Sequence, residues 1–133
     1  MIAEKSAKTG DEAIPIPLYK FQKLEVYRLA LDYVDLLYTL ARKLPEAERF
    51  NLKAQIEGAA ISIVLNIAEG STGQSNPEQL RFLSFSIRSF LESVACLDLI
   101  ERRQYLPQHA LIGVRQLGHK VFVKLQAFRK SLQ

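Results

Sequence analysis

The sequence of 133 residues contains no tryptophan, one methionine and one cysteine, Cys96. A lone cysteine cannot form an internal disulfide, and the apolar neighbours Val94, Ala95 and Leu97 indicate a buried thiol in a reducing compartment. The sequence also lacks a run of eighteen apolar residues, and its start lacks the basic and apolar regions of a signal peptide. We therefore expect a cytoplasmic protein without a membrane-spanning segment.

Enzyme and metal-site motifs are also missing from the sequence. His109 and His119 are not preceded by a glutamate three residues earlier, which di-iron carboxylate bundles require. Cys96 has no CxxC partner, and no GxSxG, Walker or GxGxxG pattern occurs. A cavity containing Asn66 and Glu69 is the remaining enzymatic alternative, but no base, nucleophile or metal set accompanies it. We expect no catalysis and no cofactor.

The sequence has an apolar pattern with a helical period. Hydrophobic residues make up 48% and charged residues 24%, as in soluble globular domains. Apolar residues recur three and four positions apart in four segments, residues 21–44, 46–69, 77–104 and 107–133. No segment alternates as a strand does. This pattern predicts an all-α fold, an antiparallel four-helix bundle with up-down-up-down topology.

Proline, glycine and capping residues mark the predicted helix ends. Pro45 ends the first helix, because proline disfavours helical geometry in the residue before it, and Gly70 ends the second. At the start of the third helix, Asn76 is the expected N-cap, Pro77 the first helical residue and Gln79 the partner in a capping box.

The N-terminal region differs in composition from the rest of the chain. Residues 1–20 contain Pro15 and Pro17 and show no helical period, which predicts an extended or mobile arm. Arms of this kind often pack on a neighbouring subunit. We therefore expect two regions, an arm at residues 1–20 and the bundle domain at residues 21–133.

One face of the second helix is polar or small instead of apolar. Its residues recur at three-four spacing and end beside Gly70, and they are Gln55, Ala59, Ser62, Asn66 and Glu69. A neighbouring apolar stripe already supplies a core face, so this polar stripe is a solvated face, a hydrogen-bonded interface or a lined cavity. The sequence leaves these alternatives open.

The fourth helix carries the surplus positive charge. Residues 107–133 contain no acidic residue and five basic residues, namely Arg115, Lys120, Lys124, Arg129 and Lys130. The simplest interpretation is an ordinary charged face. However, clustered lysine and arginine without interleaved acids also favour binding to RNA or another polyanion.

Residues 21–106 resemble the bacterial 23S rRNA intervening-sequence protein family, also called four helix bundle proteins. The resemblance rests on residues 55–70, QIEGAAISIVLNIAEG, and on residues 21–27, FQKLEVY, and its most specific part is the segment from Asn66 to Gly70. It implies a homopentameric ring and no known enzymatic activity. At the level of fold, the bundle is also similar to accessory proteins of diversity-generating retroelements, which partner a reverse transcriptase and its RNA.

The sequence departs from this family's pattern at several positions. Glu57 and Gly58 replace a usual basic pair, Val64 replaces a proline, Gln74 replaces an arginine and Arg88 replaces a glycine. Loss of the basic pair weakens an RNA-binding role for the second helix. Arg88 places a long charged side chain where close helix approach is expected.

Two functional hypotheses follow. The first is a self-assembling, non-enzymatic bundle that associates with RNA or with an RNA-binding protein through the basic fourth helix. The alternative is a protein-interaction scaffold, for example an accessory subunit of a reverse transcriptase complex, that uses the polar stripe of the second helix.

Overall fold

Four α-helices account for most of residues 14–73 and 75–133, the part of the chain that the computed structural model describes. They are α1 (Glu25–Ala41), α2 (Leu52–Glu69), α3 (Asn76–Arg102) and α4 (Gln108–Ser131), with single 3₁₀ turns at Lys20–Lys23 and Glu46–Glu48. No strand occurs among the described residues, which confirms the predicted all-α fold. None of the described helices is both long and apolar enough to span a bilayer. Most of the predicted arm, residues 1–13, lies outside the described residues, as does Gln74.

The helices pack in chain order around one core. Each helix contacts the next, and α1 also contacts α4. The antiparallel arrangement of α2 and α3 is visible in two contacts, one between the helices and one between the segments that precede α2 and follow α3. The Ser86 hydroxyl donates to the Ile63 carbonyl at 2.8 Å, and the Tyr105 hydroxyl donates to Glu48 at 2.6 Å. The latter bond lowers the pKa of the Glu48 carboxyl.

The first helix is shorter than its apolar pattern predicts at both ends. It begins at Glu25 instead of Phe21, because Lys20–Lys23 forms a separate 3₁₀ turn. It ends at Ala41 instead of Leu44, since the following turn tightens and the Leu44 amide donates to the Ala41 carbonyl. Pro45 then prevents Leu44 from continuing the helix.

The second helix begins at Leu52, later than the predicted Glu46 or Glu48. Glu46–Glu48 forms its own 3₁₀ turn after Pro45. The Glu48 carboxylate accepts a hydrogen bond from the Leu52 amide at 3.3 Å. It thereby satisfies one of the free amides at the start of α2.

The predicted N-cap of the third helix is wrong by one residue. Asn76 is the first residue of α3 and Ser75 precedes it as the cap, without a side-chain capping bond. The side-chain amide of Asn76 instead donates to the backbone carbonyl of Leu132 at 3.2 Å, which joins the start of α3 to the end of α4. A tertiary contact has replaced the local one.

The third helix ends at Arg102, two residues before the predicted Gln104. Gln104 adopts a left-handed conformation with φ of 60°. The amides of Gln104 and Tyr105 donate to the carbonyls of Glu101 and Ile100, the bond pattern of a Schellman C-cap. Glycine usually occupies this position, so the residue type gave no signal of the helix end.

Tyr33 of α1 lies fully buried at the meeting point of three helices. The Ser93 hydroxyl donates to the Phe90 carbonyl at 2.6 Å, so the Tyr33 hydroxyl must donate to Ser93 at 2.8 Å. The Tyr33 ring also packs against Phe90, with 5.6 Å between centroids. On α4, Gly118 leaves room for both rings, because a Cβ there would lie 2.8 Å from Tyr33 and 3.1 Å from Phe90.

Replacing Gly118 with alanine should destabilise the bundle. The added methyl would overlap the buried Tyr33 ring, and overpacking of this kind costs about 1–3 kcal/mol. Gly113→Ala on the same helix is the matched control. Its methyl meets no atom within 4 Å and should stabilise the protein by up to about 1 kcal/mol. Urea unfolding measures both variants, and a Gly118→Ala protein as stable as Gly113→Ala would contradict this packing.

Stability should fall at alkaline pH because of Tyr33. Burial raises the pKa of its hydroxyl from 10.0 to about 12, and the bond to Ser93 offsets part of the rise. Because the pKa is higher in the folded state, the contribution of the neutral Tyr33 hydroxyl to the free energy of unfolding is complete below pH 10. This contribution is lost as the pH approaches 12. The expected loss is about 2 kcal/mol. Urea midpoints between pH 9 and 12 should fall more for the native protein than for Tyr33→Phe; equal slopes would refute the assignment.

Candidate interaction surfaces

The basic face of α4 is partly neutralised by acids from neighbouring helices. Arg115 lies 3.0 Å from Asp98 and 3.2 Å from Glu101 of α3, and Lys124 lies 3.1 Å from Glu25 of α1. The absence of acids in residues 107–133 therefore does not make the folded surface free of acids. Arg115 and Lys124 have less of their charge available for a polyanion than the sequence indicated.

The other three basic residues of α4 keep more of their charge available. Lys120 and Lys130 are exposed and form no ion pair with any residue that the structure describes. Arg129 donates to Gln126 of its own helix at 2.9 Å. These residues lie on more than one side of α4, so the basic surface is discontinuous.

The two histidines and the cysteine lie in different environments. His109 and His119 are exposed on α4, and no group of three metal-ligating side chains occurs among the described residues. Cys96 is buried, as predicted, and burial raises the pKa of its thiol. A buried thiol with a raised pKa is a poor nucleophile.

The polar stripe of α2 forms hydrogen bonds within its own helix. The Asn66 amide donates to the Ser62 carbonyl at 2.8 Å and approaches the Ser62 hydroxyl at 3.4 Å. Ala59 is buried, whereas Gln55 and Glu69 are exposed. The stripe therefore lies along the border between the core and the outer surface.

Gly70, at the end of this stripe, has a packing role. A Cβ on Gly70 would lie 3.2 Å from the Leu83 side chain and from the Asn66 carbonyl. The glycine thus allows α2 to end in close contact with α3. This close contact is a sufficient reason for glycine at position 70, and no bound ligand is needed to explain it.

A second apolar line runs along α2 on the side opposite the core. We call it the α2 seam, and its residues, spaced alternately four and three apart, are Ala54, Gly58, Ile61, Leu65 and Ala68. Ile61 and Leu65 keep 42% and 59% of their surface exposed. From the sequence we assigned α2 only one core stripe and one polar stripe, so this third, outward-facing line was not predicted. Its heptad spacing was the available signal.

The departures from the family pattern have local explanations. Glu57 pairs with Lys53 at 3.0 Å on one flank of the α2 seam, and Val64 packs partly against the core. Gly58 faces outward, and a methyl group added to it would meet no atom within 4 Å. Arg88 is exposed and places its guanidinium 5.0 Å from the Phe85 ring, so it does not separate the helices.

An aromatic cleft opens between α3 and α4. It encloses about 220 Å³, and its lining is formed by Tyr33, Phe90, Leu91, Val94, Leu97, Arg115, Gly118, His119 and Phe122. Phe122 stacks on Phe90 with 5.6 Å between centroids and lies 6.5 Å from the His119 ring. Leu91 at the rim is half exposed. No sequence pattern indicated this cleft, since its walls come from three helices.

Comparisons with known proteins agree with the fold. The family model described as 23S rRNA-intervening sequence protein matches residues 22–127. A crystal structure of a protein with unknown function from the S23 ribosomal protein family of Bacteroides thetaiotaomicron VPI-5482 is also similar. It has a TM-score of 0.73 and 22% identity, and the match covers 79% of this chain and 98% of that chain. At this identity the likeness shows the fold alone. No curated protein sequence matches the chain.

Proposed function

Because the chain belongs to the 23S rRNA-intervening sequence protein family, which has no known catalytic activity, we propose that it is a non-enzymatic scaffold that assembles with copies of itself. The α2 seam supports this proposal most directly. A helix that is apolar on opposite faces needs a partner on each of them. The bundle core covers one face of α2, and another copy covers the seam.

The α2 seam has the composition of a helix-packing surface. Complete burial of an exposed isoleucine or leucine contributes about 1.5–3 kcal/mol, and Ile61 and Leu65 are about half exposed. Gly58 costs about 1 kcal/mol relative to alanine within a helix, and none of the residues that the structure describes uses the space beside it. Close approach by a helix of another copy accounts for this glycine.

Polar groups flank the α2 seam on both sides, as at the rim of many interfaces. The exposed amide of Gln55 and the half-buried Ser62 and Asn66 line one side. The ion pair of Lys53 and Glu57 lies on the other. This arrangement favours the interface interpretation of the polar stripe over the solvated one. The same rim can orient a heterologous protein partner, but the apolar centre favours a second copy.

Charge in the middle of the α2 seam should dissociate the assembly. Ile61→Lys with Leu65→Lys should leave the helical content unchanged, because both side chains are already exposed in a single chain. Light scattering after size exclusion should change from an oligomer, five subunits by the family resemblance, to a monomer. Leu31→Lys on α1, with 40% of Leu31 exposed, is the control and should remain assembled. Assembly that survives in the double variant would show that α2 is not the contact.

We also propose a second candidate, polyanion binding through α4, on a different observation. Lys120 and Lys130 are exposed, and no acidic side chain of the described residues pairs with them. RNA bound there would be held mainly through phosphate contacts and would dissociate as salt rises. Neutralisation of Arg115 and Lys124 makes this candidate weaker than self-assembly.

Reversal of the two unpaired lysines should test RNA binding. Lys120→Glu with Lys130→Glu should weaken binding of a single-stranded RNA probe at least tenfold at low salt and reduce the salt dependence by about two phosphate contacts. Lys20→Glu with Lys23→Glu makes the same change in net charge on the 3₁₀ turn that packs against α1 and α2. Equal losses in both variants would indicate a general charge effect and not a site on α4.

A further inference from the structure

We propose that residues 14–19 of one copy dock into the aromatic cleft between α3 and α4 of the next copy. This inference rests on the proposed self-assembly and adds a second contact, made by a segment outside the helices. Within one chain the large apolar side chains of the segment stay exposed, and none of them lines the cleft. Together they form a donor and an acceptor.

The segment exposes large apolar side chains in a conformation suited to docking. Its sequence alternates them with proline, and 83% of Ile14, 80% of Ile16, 56% of Leu18 and 65% of Tyr19 are exposed. Tyr19 has φ of −74° and ψ of 163°, close to polyproline II geometry. Proline fixes φ near this value and removes amide donors. The two prolines therefore restrict the backbone of the segment and prevent it from pairing as an ordinary strand.

The aromatic cleft has the size and chemistry to receive this segment. Its volume is about 220 Å³, and an apolar cavity of about 150 Å³ holds a benzene molecule. One ring or branched side chain of the segment therefore fits inside. Aromatic-lined grooves are the usual receptors of proline-rich extended peptides. Phe90, Phe122 and His119 provide such walls, and the half-exposed Leu91 extends the apolar surface at the rim.

The geometry of the bundle favours a second copy over the same chain. Lys20–Lys23, which follows the segment, packs against α1 and α2. The cleft opens between α3 and α4, at the opposite edge of a bundle whose helices pack in chain order. Six extended residues reach about 20 Å, whereas a path around two helices, each about 10–12 Å wide, is longer.

A donor edge and an acceptor edge on opposite sides make a head-to-tail contact. Such contacts form a closed ring when the rotation between neighbours closes. The two-sided arrangement of the segment and the cleft is therefore compatible with a cyclic assembly. It would also explain why the apolar segment is exposed in a single chain.

Disulfide trapping between two different full-length chains tests the inference. One chain carries Ile16→Cys and the other Leu91→Cys, both with Cys96→Ala so that each chain has one thiol. Co-expressed and oxidised, they should form a disulfide-linked heterodimer on a non-reducing denaturing gel. Glu92→Cys replaces Leu91→Cys in the control, since Glu92 is exposed on the same helix but does not line the cleft. The control should trap at least tenfold less heterodimer.

The alternative results separate this inference from the proposed scaffold. Equal trapping by Glu92→Cys, or no trapping in a protein that light scattering shows to be assembled, would overturn the docking and leave the α2 contact standing. A chain carrying both Ile16→Cys and Leu91→Cys that forms only an internal disulfide would assign the cleft to its own segment. A monomeric protein would overturn both proposals. Ile16→Asp with Leu18→Asp should weaken assembly while helical content stays unchanged.

Discussion

The contact of Tyr33 with Ser93 and Gly118 holds the bundle in its observed form. It brings α1, α3 and α4 together in the core, with a hydroxyl that is hydrogen-bonded and a ring that lies against a glycine. A Cβ at Gly118 would lie 2.8 Å from the Tyr33 ring, so any other residue there would force the ring or the helix to move. The same glycine leaves the space from which the aromatic cleft is formed. Core packing and the candidate acceptor site thus depend on one close approach.

The second helix shows how an interaction surface can remain within a stable fold. Its core face is covered by the bundle, and its outer face carries Ile61 and Leu65 in solvent. Single exposed apolar residues are common on proteins, whereas Ile61 and Leu65 are neighbours on one face of α2 and continue a line of small residues at heptad spacing. Gly58 lies on the same line, although helix propensity disfavours glycine and no described residue packs beside it.

Charge in this protein depends on three-dimensional neighbours more than on order along the chain. Residues 107–133 contain no acid, yet Asp98, Glu101 and Glu25 reach Arg115 and Lys124 from adjacent helices. The basic face of α4 is therefore partly neutralised in the folded chain, and polyanion binding there stays a prediction. A tally along the chain cannot include partners that folding brings from distant segments, and a candidate polyanion site inferred in this way loses strength when such partners are present.

The sequence by itself determined the helical class, the topology and the buried position of Cys96. Apolar periodicity predicts the helices and their buried faces, and short connections make consecutive helices antiparallel neighbours, so none of these features depends on knowing which distant residues meet. It also pointed to α2 and α4 as the helices with unusual surfaces. Only the tertiary structure decided where Asn76 donates, which cations are neutralised and where a cleft lies. Each of these depends on side chains that are far apart in the chain and meet through packing, so no spacing rule contains them.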